Sequence, residues 1–116
     1  MKISSARLAS FEILYRIEVE KAFSSALLPL YEEKLSEKDR GLCHEITLGT
    51  LRNQILIDKI IEQFISKKLD SEVKISLRLG IYQILFLDRI PAYSAINESV
   101  NLVQRAKKTS AKGLVN

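Results

Sequence analysis

Cysteine occurs once among the 116 residues, at Cys43, so no disulfide can close within the chain and a disulfide-stapled scaffold is excluded. A lone thiol fits a reducing, cytosolic compartment. Histidine also occurs once, and one Cys with one His cannot supply the four ligands of a structural zinc site. Glycine and proline are scarce, at four and two residues, and strict apolar–polar alternation is nearly absent; together these point to an all-α chain. Gly41, Gly49, Gly80 and Gly113 lie too far apart to build a dinucleotide- or phosphate-binding loop. Long apolar runs are missing as well. The most apolar window, residues 75–87, is interrupted by Ser76, Arg78 and Gln83 and falls short of the roughly 20 residues needed to cross a bilayer. Residues 1–7 lack the apolar stretch of a secretory signal. These absences predict a soluble, cytoplasmic protein with neither a membrane nor a metal among its partners.

What is present is aliphatic bulk: Leu and Ile together number 31, too many for a disordered chain. A chain of this length makes one domain over 1–116, burying about two-thirds of its unfolded surface. The charge is +4, with 18 basic and 14 acidic side chains, but it is unevenly spread. No acid follows Glu98, whereas Arg105, Lys107, Lys108 and Lys112 do, so the whole excess lies in the last 18 residues. The first 11 residues are purely basic too, through Lys2 and Arg7.

Apolar spacing predicts six helices and the start of a seventh. The first, about Ser5–Glu18, carries two apolar stripes, Ala6/Ala9/Ile13/Ile17 and Leu8/Phe11/Tyr15/Val19, and is expected to lie between other helices. A second covers Ser25–Lys34, with Pro29 near its first turn. Ser36-Glu37-Lys38-Asp39 resembles a capping box opening a third over Glu37–Arg52, where Gly49 suggests close approach by another backbone. Ile57, Ile60, Ile61 and Phe64 follow helical spacing and place a fourth over Ile55–Lys68. The fifth, Ser71–Leu87, capped by Asp70-Ser71, is apolar almost all round and therefore central. Pro91 breaks the chain before a sixth, Tyr93–Lys107, with Ile96, Val100 and Val103 inward and Asn97, Asn101, Arg105 and Lys108 outward. Ser110 would cap a seventh beginning at Ala111.

No constellation is catalytic. Adjacent helical residues such as Cys43 and His44 point about 100° apart, so neither serves the other as base; Cys43 reads as a small core residue and His44 as a surface partner of Arg40 or Glu45. The carboxylates are scattered, with no pair at a metal- or glycosidase-like spacing. Arg78, between Leu77 and Leu79 in the central helix, calls for a buried partner, Asp58 or Glu98; the other reading has it project toward phosphate. Arg105, Lys107, Lys108 and Lys112, clustered with Asn101 and free of acids, suit nucleic acid, and Lys2 and Arg7 would extend that surface if the termini adjoin. Tyr93 would stack on an exposed base if its ring is accessible, or else anchor packing.

Several strings then coincide in order. They are Ala6-Arg7, Asp39-Arg40, Leu48-Gly49-Thr50-Leu51-Arg52, the run from Leu77 to Leu85, the run from Ile90 to Val100, and Lys112-Gly113-Leu114-Val115-Asn116. Together they resemble the NusB-like RNA-binding fold and, more closely, the N-terminal domain of the RsmB (Sun or Fmu) family of bacterial 16S rRNA cytosine-5 methyltransferases. Gly49-Thr50-Leu51-Arg52 and Tyr82-Gln83 are more similar to the methyltransferase domain than to the free-standing antitermination factor. The resemblance implies an all-α bundle of two packed subdomains, a grip on ribosomal RNA, and a longer parent whose separate catalytic domain binds S-adenosylmethionine. The catalytic cysteine implied for that domain follows proline, whereas Cys43 follows Leu42. Arg7 matches an Arg of the family's N-terminal motif at the RNA-contacting end of its first helix, and Arg52 and Arg78 match family arginines as well.

The expected function is therefore an RNA-binding module that positions 16S rRNA for cytosine-C5 methylation by a following domain, with ribosomal RNA and that domain as partners and no cofactor in this segment. Lys2, Arg7, Arg105, Lys107 and Lys108 are the expected phosphate contacts, with Arg52 as a further candidate. The rivals are a free-standing antitermination factor binding RNA with a ribosomal protein, and a structural docking domain.

Overall fold

The structure, a computed structural model, describes residues 3–87 and 90–115, with side chains for all of these except 92 and 106–115. Among the described residues six helices follow in order: α1 (Ser5–Glu20), α2 (Ser24–Glu32), α3 (Glu37–Arg52), α4 (Gln54–Phe64), α5 (Ser71–Phe86) and α6 (Ala92–Val115). Among the same residues there is no strand, and no helix is long and apolar enough to cross a membrane.

Local chemistry explains most helix ends. Ser4 caps α1, its Oγ accepting from the Arg7 amide at 3.3 Å. Lys21 ends that helix in the left-handed region (φ 59°), so that the returning amides close on the Arg16 carbonyl. Ser36 caps α3 as its sequence predicts, accepting from the Asp39 amide at 3.2 Å. Asn53 closes α3 and opens α4: its side chain donates to the Gly49 carbonyl at 2.8 Å, and its own carbonyl accepts from Ile57. Asp70 occupies the cap position of α5 without a side-chain cap bond. Pro29 lies inside α2 rather than in its first turn, and the helix ends three residues later.

Two apolar clusters build the two-part bundle. Ala6, Ala9, Ile13, Leu27, Leu28 and Cys43 join α1, α2 and α3. Leu14, Ile46, Ile57, Ile61, Ile75, Leu79, Tyr82, Leu87 and Leu102 join α3 through α6, with α1 contributing Leu14. α1 therefore lies between other helices, as its two stripes predict, although its second stripe is only partly covered and Val19 is exposed. α5 touches α1, α3, α4 and α6 and is the central helix.

Four expectations need correction. α4 stops at Phe64 instead of reaching Lys68, because Ile65 and Leu69 reach the core from non-helical backbone, and Phe64 itself faces solvent. The neighbour that requires Gly49 is the Tyr82 ring rather than a backbone: a Cβ at position 49 would collide with it. No seventh helix begins at Ala111; α6 continues through Ser110, with Ala and Lys around that serine favouring propagation. Finally, α6 meets the core through Ala95 and Leu102, whereas Ile96 (53% exposed) and Val100 (48%) do not face inward.

Gly49→Ala should lower the unfolding free energy by about 1–3 kcal/mol through overpacking against Tyr82, measured by urea denaturation. Gly41→Ala, where an added Cβ meets open space, is the matched control and should not destabilise the fold.

Candidate nucleic-acid interface

The site is built on α6, and its placement begins at Glu98. This carboxylate accepts from the Ser4 amide at 2.7 Å through Oε1 and pairs with Arg7 Nη1 at 2.6 Å through Oε2. Arg7 also donates through Nε to Gln83 Oε1 at 2.5 Å and through Nη1 to Ser4 Oγ at 3.2 Å. Gln83 in turn donates to the Leu79 carbonyl at 3.0 Å, so α1, α5 and α6 share one polar knot. Arg7 is only 8% exposed. Its expected role as a phosphate contact is therefore corrected: the side chain is buried with Nε and Nη1 engaged inside the fold, and Glu98 in place of phosphate supplies the anion.

Around α6, three faces have different chemistry. Ala95, Glu98 and Leu102 form the seam against the bundle. Ile96, Val100 and Val103 line one side of a trough against α5. Tyr93, Asn97, Asn101 and Arg105, four residues apart each time, follow one line along the helix. The Tyr93 ring is 75% exposed and therefore open to stacking. Beside it is a shallow depression of about 330 Å³, lined by Ile3, Ser4, Tyr93, Ser94, Asn97 and Glu98. An aromatic face, an amide carrying both donors and an acceptor, and a hydroxyl thus surround a hollow at the start of a helix whose other end is basic.

The expected basic residues do not all gather there. Arg105 is exposed on the α6 line. Lys107 and Lys108 lie on the backbone of α6, their side chains outside the described residues, and Lys2 lies outside them altogether. Arg52 is exposed in the last turn of α3, a helix that does not touch α6 among the described residues, so it stands apart from this line. Arg78 takes the structural alternative: it is paired bidentately with Asp58 at 2.8 and 2.9 Å, with Glu18 at 3.8 Å. Glu98, the other partner considered for it, serves Arg7 instead.

The remaining chemistry-bearing residues are structural. Cys43 is buried, its Sγ 3.8 Å from Thr47 Oγ1, and burial pushes its thiol pKa up, away from the reactive thiolate. His44 pairs with Glu32 of α2 at 3.0 Å, across a helix boundary, a partner that its neighbours in sequence do not suggest. Among the described residues no group of His, Cys, Asp and Glu is placed to hold a metal ion. Ser94 is the lining residue that sequence reading missed, and Asn97 was read as outward-facing without a role in the site; the four-residue spacing from Tyr93 through Arg105 was the available signal for Asn97.

Comparison with known proteins bears on the family and the fold. The family model described as the NusB family matches residues 4–116. The ribosomal RNA small subunit methyltransferase B of Pseudomonas putida is 39% identical over 113 residues, covering 95% of this chain and 26% of that protein. A probable ribosomal RNA small subunit methyltransferase B from Bacillus subtilis is 37% identical over 98% of this chain and 26% of its own length. Its counterpart in Synechocystis is 34% identical over 95% and 25%. The chain thus spans about a quarter of the length of these curated relatives. A chain in the crystal structure of a plectonemic RNA supercoil superposes with a TM-score of 0.81 at 22% identity, covering 96% of this chain and 86% of that one, which establishes a shared fold.

Arg7→Ala should cost about 3–5 kcal/mol, because it strands a mostly buried Glu98 without its cation. In a double-mutant cycle, adding Glu98→Ala should cost much less than the sum of the single changes. Arg78→Ala should cost about 3 kcal/mol, the lower end of that range, since Asp58 keeps some access to water. Thermal or urea unfolding reads both, and additive Arg7 and Glu98 effects would remove the clamp. For Cys43, maleimide labelling at pH 8 should be slow in the folded chain and become fast on addition of denaturant.

Proposed function

The chain belongs to the NusB family, and we propose that it is an RNA-binding domain that positions ribosomal RNA for a methyltransferase domain in the same polypeptide. The observation that carries this reading is the accessible Tyr93 ring over the hollow shared with Asn97, at the head of a helix that turns basic toward its end. A base splayed out of a single strand stacks on such a ring, and the Asn97 amide can meet its edge. Phosphates following that base run along α6 toward Arg105, Lys107 and Lys108, with Lys2 as a further contact. These contacts set register without reading sequence, while Tyr93 and Asn97 hold one nucleotide.

The physical value of such a module is positional. Transfer of a methyl group to cytosine C5 needs the base held in a near-attack geometry beside the donor, and anchoring the strand elsewhere supplies part of that order in advance. Support for the methyltransferase context comes from relatives named as small-subunit rRNA methyltransferases, about four times this length, that match nearly the whole chain. In this reading the donor is S-adenosylmethionine held by the other domain, and the work is cytoplasmic.

A second reading has one observation in its favour. An apolar trough adjoins the polar line on α6, as expected of a factor that binds RNA jointly with a separate protein. The length and naming of the relatives favour the first.

Fluorescence anisotropy with a 16S rRNA fragment at several salt concentrations tests the proposal. Tyr93→Ala should weaken binding roughly 5- to 150-fold, the worth of one base–aromatic stack, without altering the salt slope or lowering stability. The pair Lys107→Ala and Lys108→Ala should instead flatten the slope of log K against log salt, by about 0.7 for each phosphate no longer neutralised. Salt-independent binding that ignores Tyr93 would overturn the reading.

A further inference from the structure

α4 ends at Phe64 because Ile65 takes extended backbone (φ −131°, ψ 112°) and turns into the core with Leu69. That turn leaves Phe64 outside. At 81% exposed, it is the most exposed large apolar side chain among the described residues. Its neighbours Glu62, Gln63, Ser66, Lys67 and Lys68 are exposed as well. Ile55 and Leu56, the other exposed apolar residues of α4, stand more than two helical turns away. The ring is thus a single aromatic plate in polar surroundings, not part of a broad apolar face.

Lys67 and Lys68 follow it three and four residues on, and three residues of chain reach at most about 11 Å. Both line a hollow of about 190 Å³ between the end of α4 and the start of α5, together with Lys74, Asp58 and Glu62. The charges there are not equally available. Asp58 is committed to Arg78, and Lys74 to Glu18 at 3.4 Å. Lys67 and Lys68 make no ion pair among the described residues, and the acids nearest to them in the hollow and in sequence are Glu62 and Asp70. An accessible aromatic ring beside two uncommitted ammonium groups is the chemistry of a single-strand stacking site: a base lies on the ring and its flanking phosphates meet the cations. An apolar protein segment would cover the ring and gain nothing from the lysines.

We propose that this α4–α5 corner is a second contact for single-stranded RNA, with Phe64 stacking one base and Lys67 and Lys68 meeting the adjoining phosphates. This rests on the reading above, that the domain binds RNA, and adds a contact well separated from Tyr93. Ile61 and Lys74 share the hollow at the start of α5, whereas Ile84 and Ile96 line one trough at its other end. Between the two corners lies α5, sixteen residues and about 24 Å long. One stacking point leaves a strand free to swing about it; two fix its direction. A strand reaching both corners also binds the second as an intramolecular event, so each contact strengthens the hold of the whole.

The chain contains no tryptophan, so Phe64→Trp places its sole indole at this corner, and Tyr93→Trp does the same at the start of α6. Titrated with a single-stranded 16S rRNA fragment long enough to span both corners, each variant should lose most of its indole emission as a base stacks on the ring. In anisotropy, Phe64→Ala should weaken binding roughly 5-fold or more without changing the salt slope. The pair Lys67→Ala and Lys68→Ala should flatten that slope by about 0.7 for each phosphate released. All three side chains are exposed, so melting temperatures should hold. Emission at position 64 that stays constant while RNA saturates the chain overturns the proposal. So does RNA affinity indifferent to both sets of substitutions, or quenching at 64 that requires an added protein. Quenching at 93 without quenching at 64 removes the corner alone. Quenching at 64 with binding indifferent to Tyr93→Ala keeps the corner and removes the Tyr93 contact, and absence of RNA binding removes both.

Discussion

The Arg7 guanidinium sits where three helices meet, and its pairing with Glu98 settles which way α6 faces. An arginine so buried must bring its counter-charge with it, because an unpaired guanidinium out of water is costly. The geometry offers one: Glu98 reaches back to both the Ser4 amide and Arg7, while Gln83 accepts from the Arg7 Nε. With Glu98 turned inward, the residues to either side of the seam are forced outward. Asn97 and Tyr93 then lie on one side, and Ile96 and Val100 on the other. The candidate RNA face and the apolar trough are thus both consequences of one ion pair.

A second buried arginine performs the equivalent service elsewhere. Arg78 grips Asp58 with two parallel hydrogen bonds and so ties α4 to the central helix. The two arginines differ in surroundings. Arg7 meets two neutral groups besides its carboxylate, whereas Arg78 has a second, more distant carboxylate in Glu18, which also meets Lys74 at 3.4 Å. Each guanidinium is planar and forked, which suits it to holding two elements at a fixed angle in a way a lysine does not.

Different faces of α6 consequently carry different chemistry. Its seam is narrow, made by Ala95 and Leu102 with Glu98 as the polar lock, because α5 approaches closely at Gly80 and leaves no room for larger side chains there. A narrow seam leaves most of the helix circumference available. One part of that circumference is aromatic and polar, the other aliphatic, and the basic residues follow toward the end of the helix.

Helix positions, the capping Ser36 and the central place of α5 were legible in the sequence, because propensity, capping and apolar spacing are local properties. So were the charge asymmetry and the family resemblance carried by strings such as the run from Ile90 to Val100. Arg78 was legible as a buried pair, though not which carboxylate it takes. Arg7 shows where local reading stops: a basic residue at the start of an amphipathic helix looks alike whether it faces phosphate or Glu98, 91 positions away. Ile96, Val100 and Val103 show the same limit, since helical spacing identifies an apolar face without saying whether anything covers it. Composition and period determined that the chain would be a set of helices with a basic end. Only tertiary structure decided which charges were consumed inside, because burial and partner geometry depend on residues that the chain brings together from its two ends.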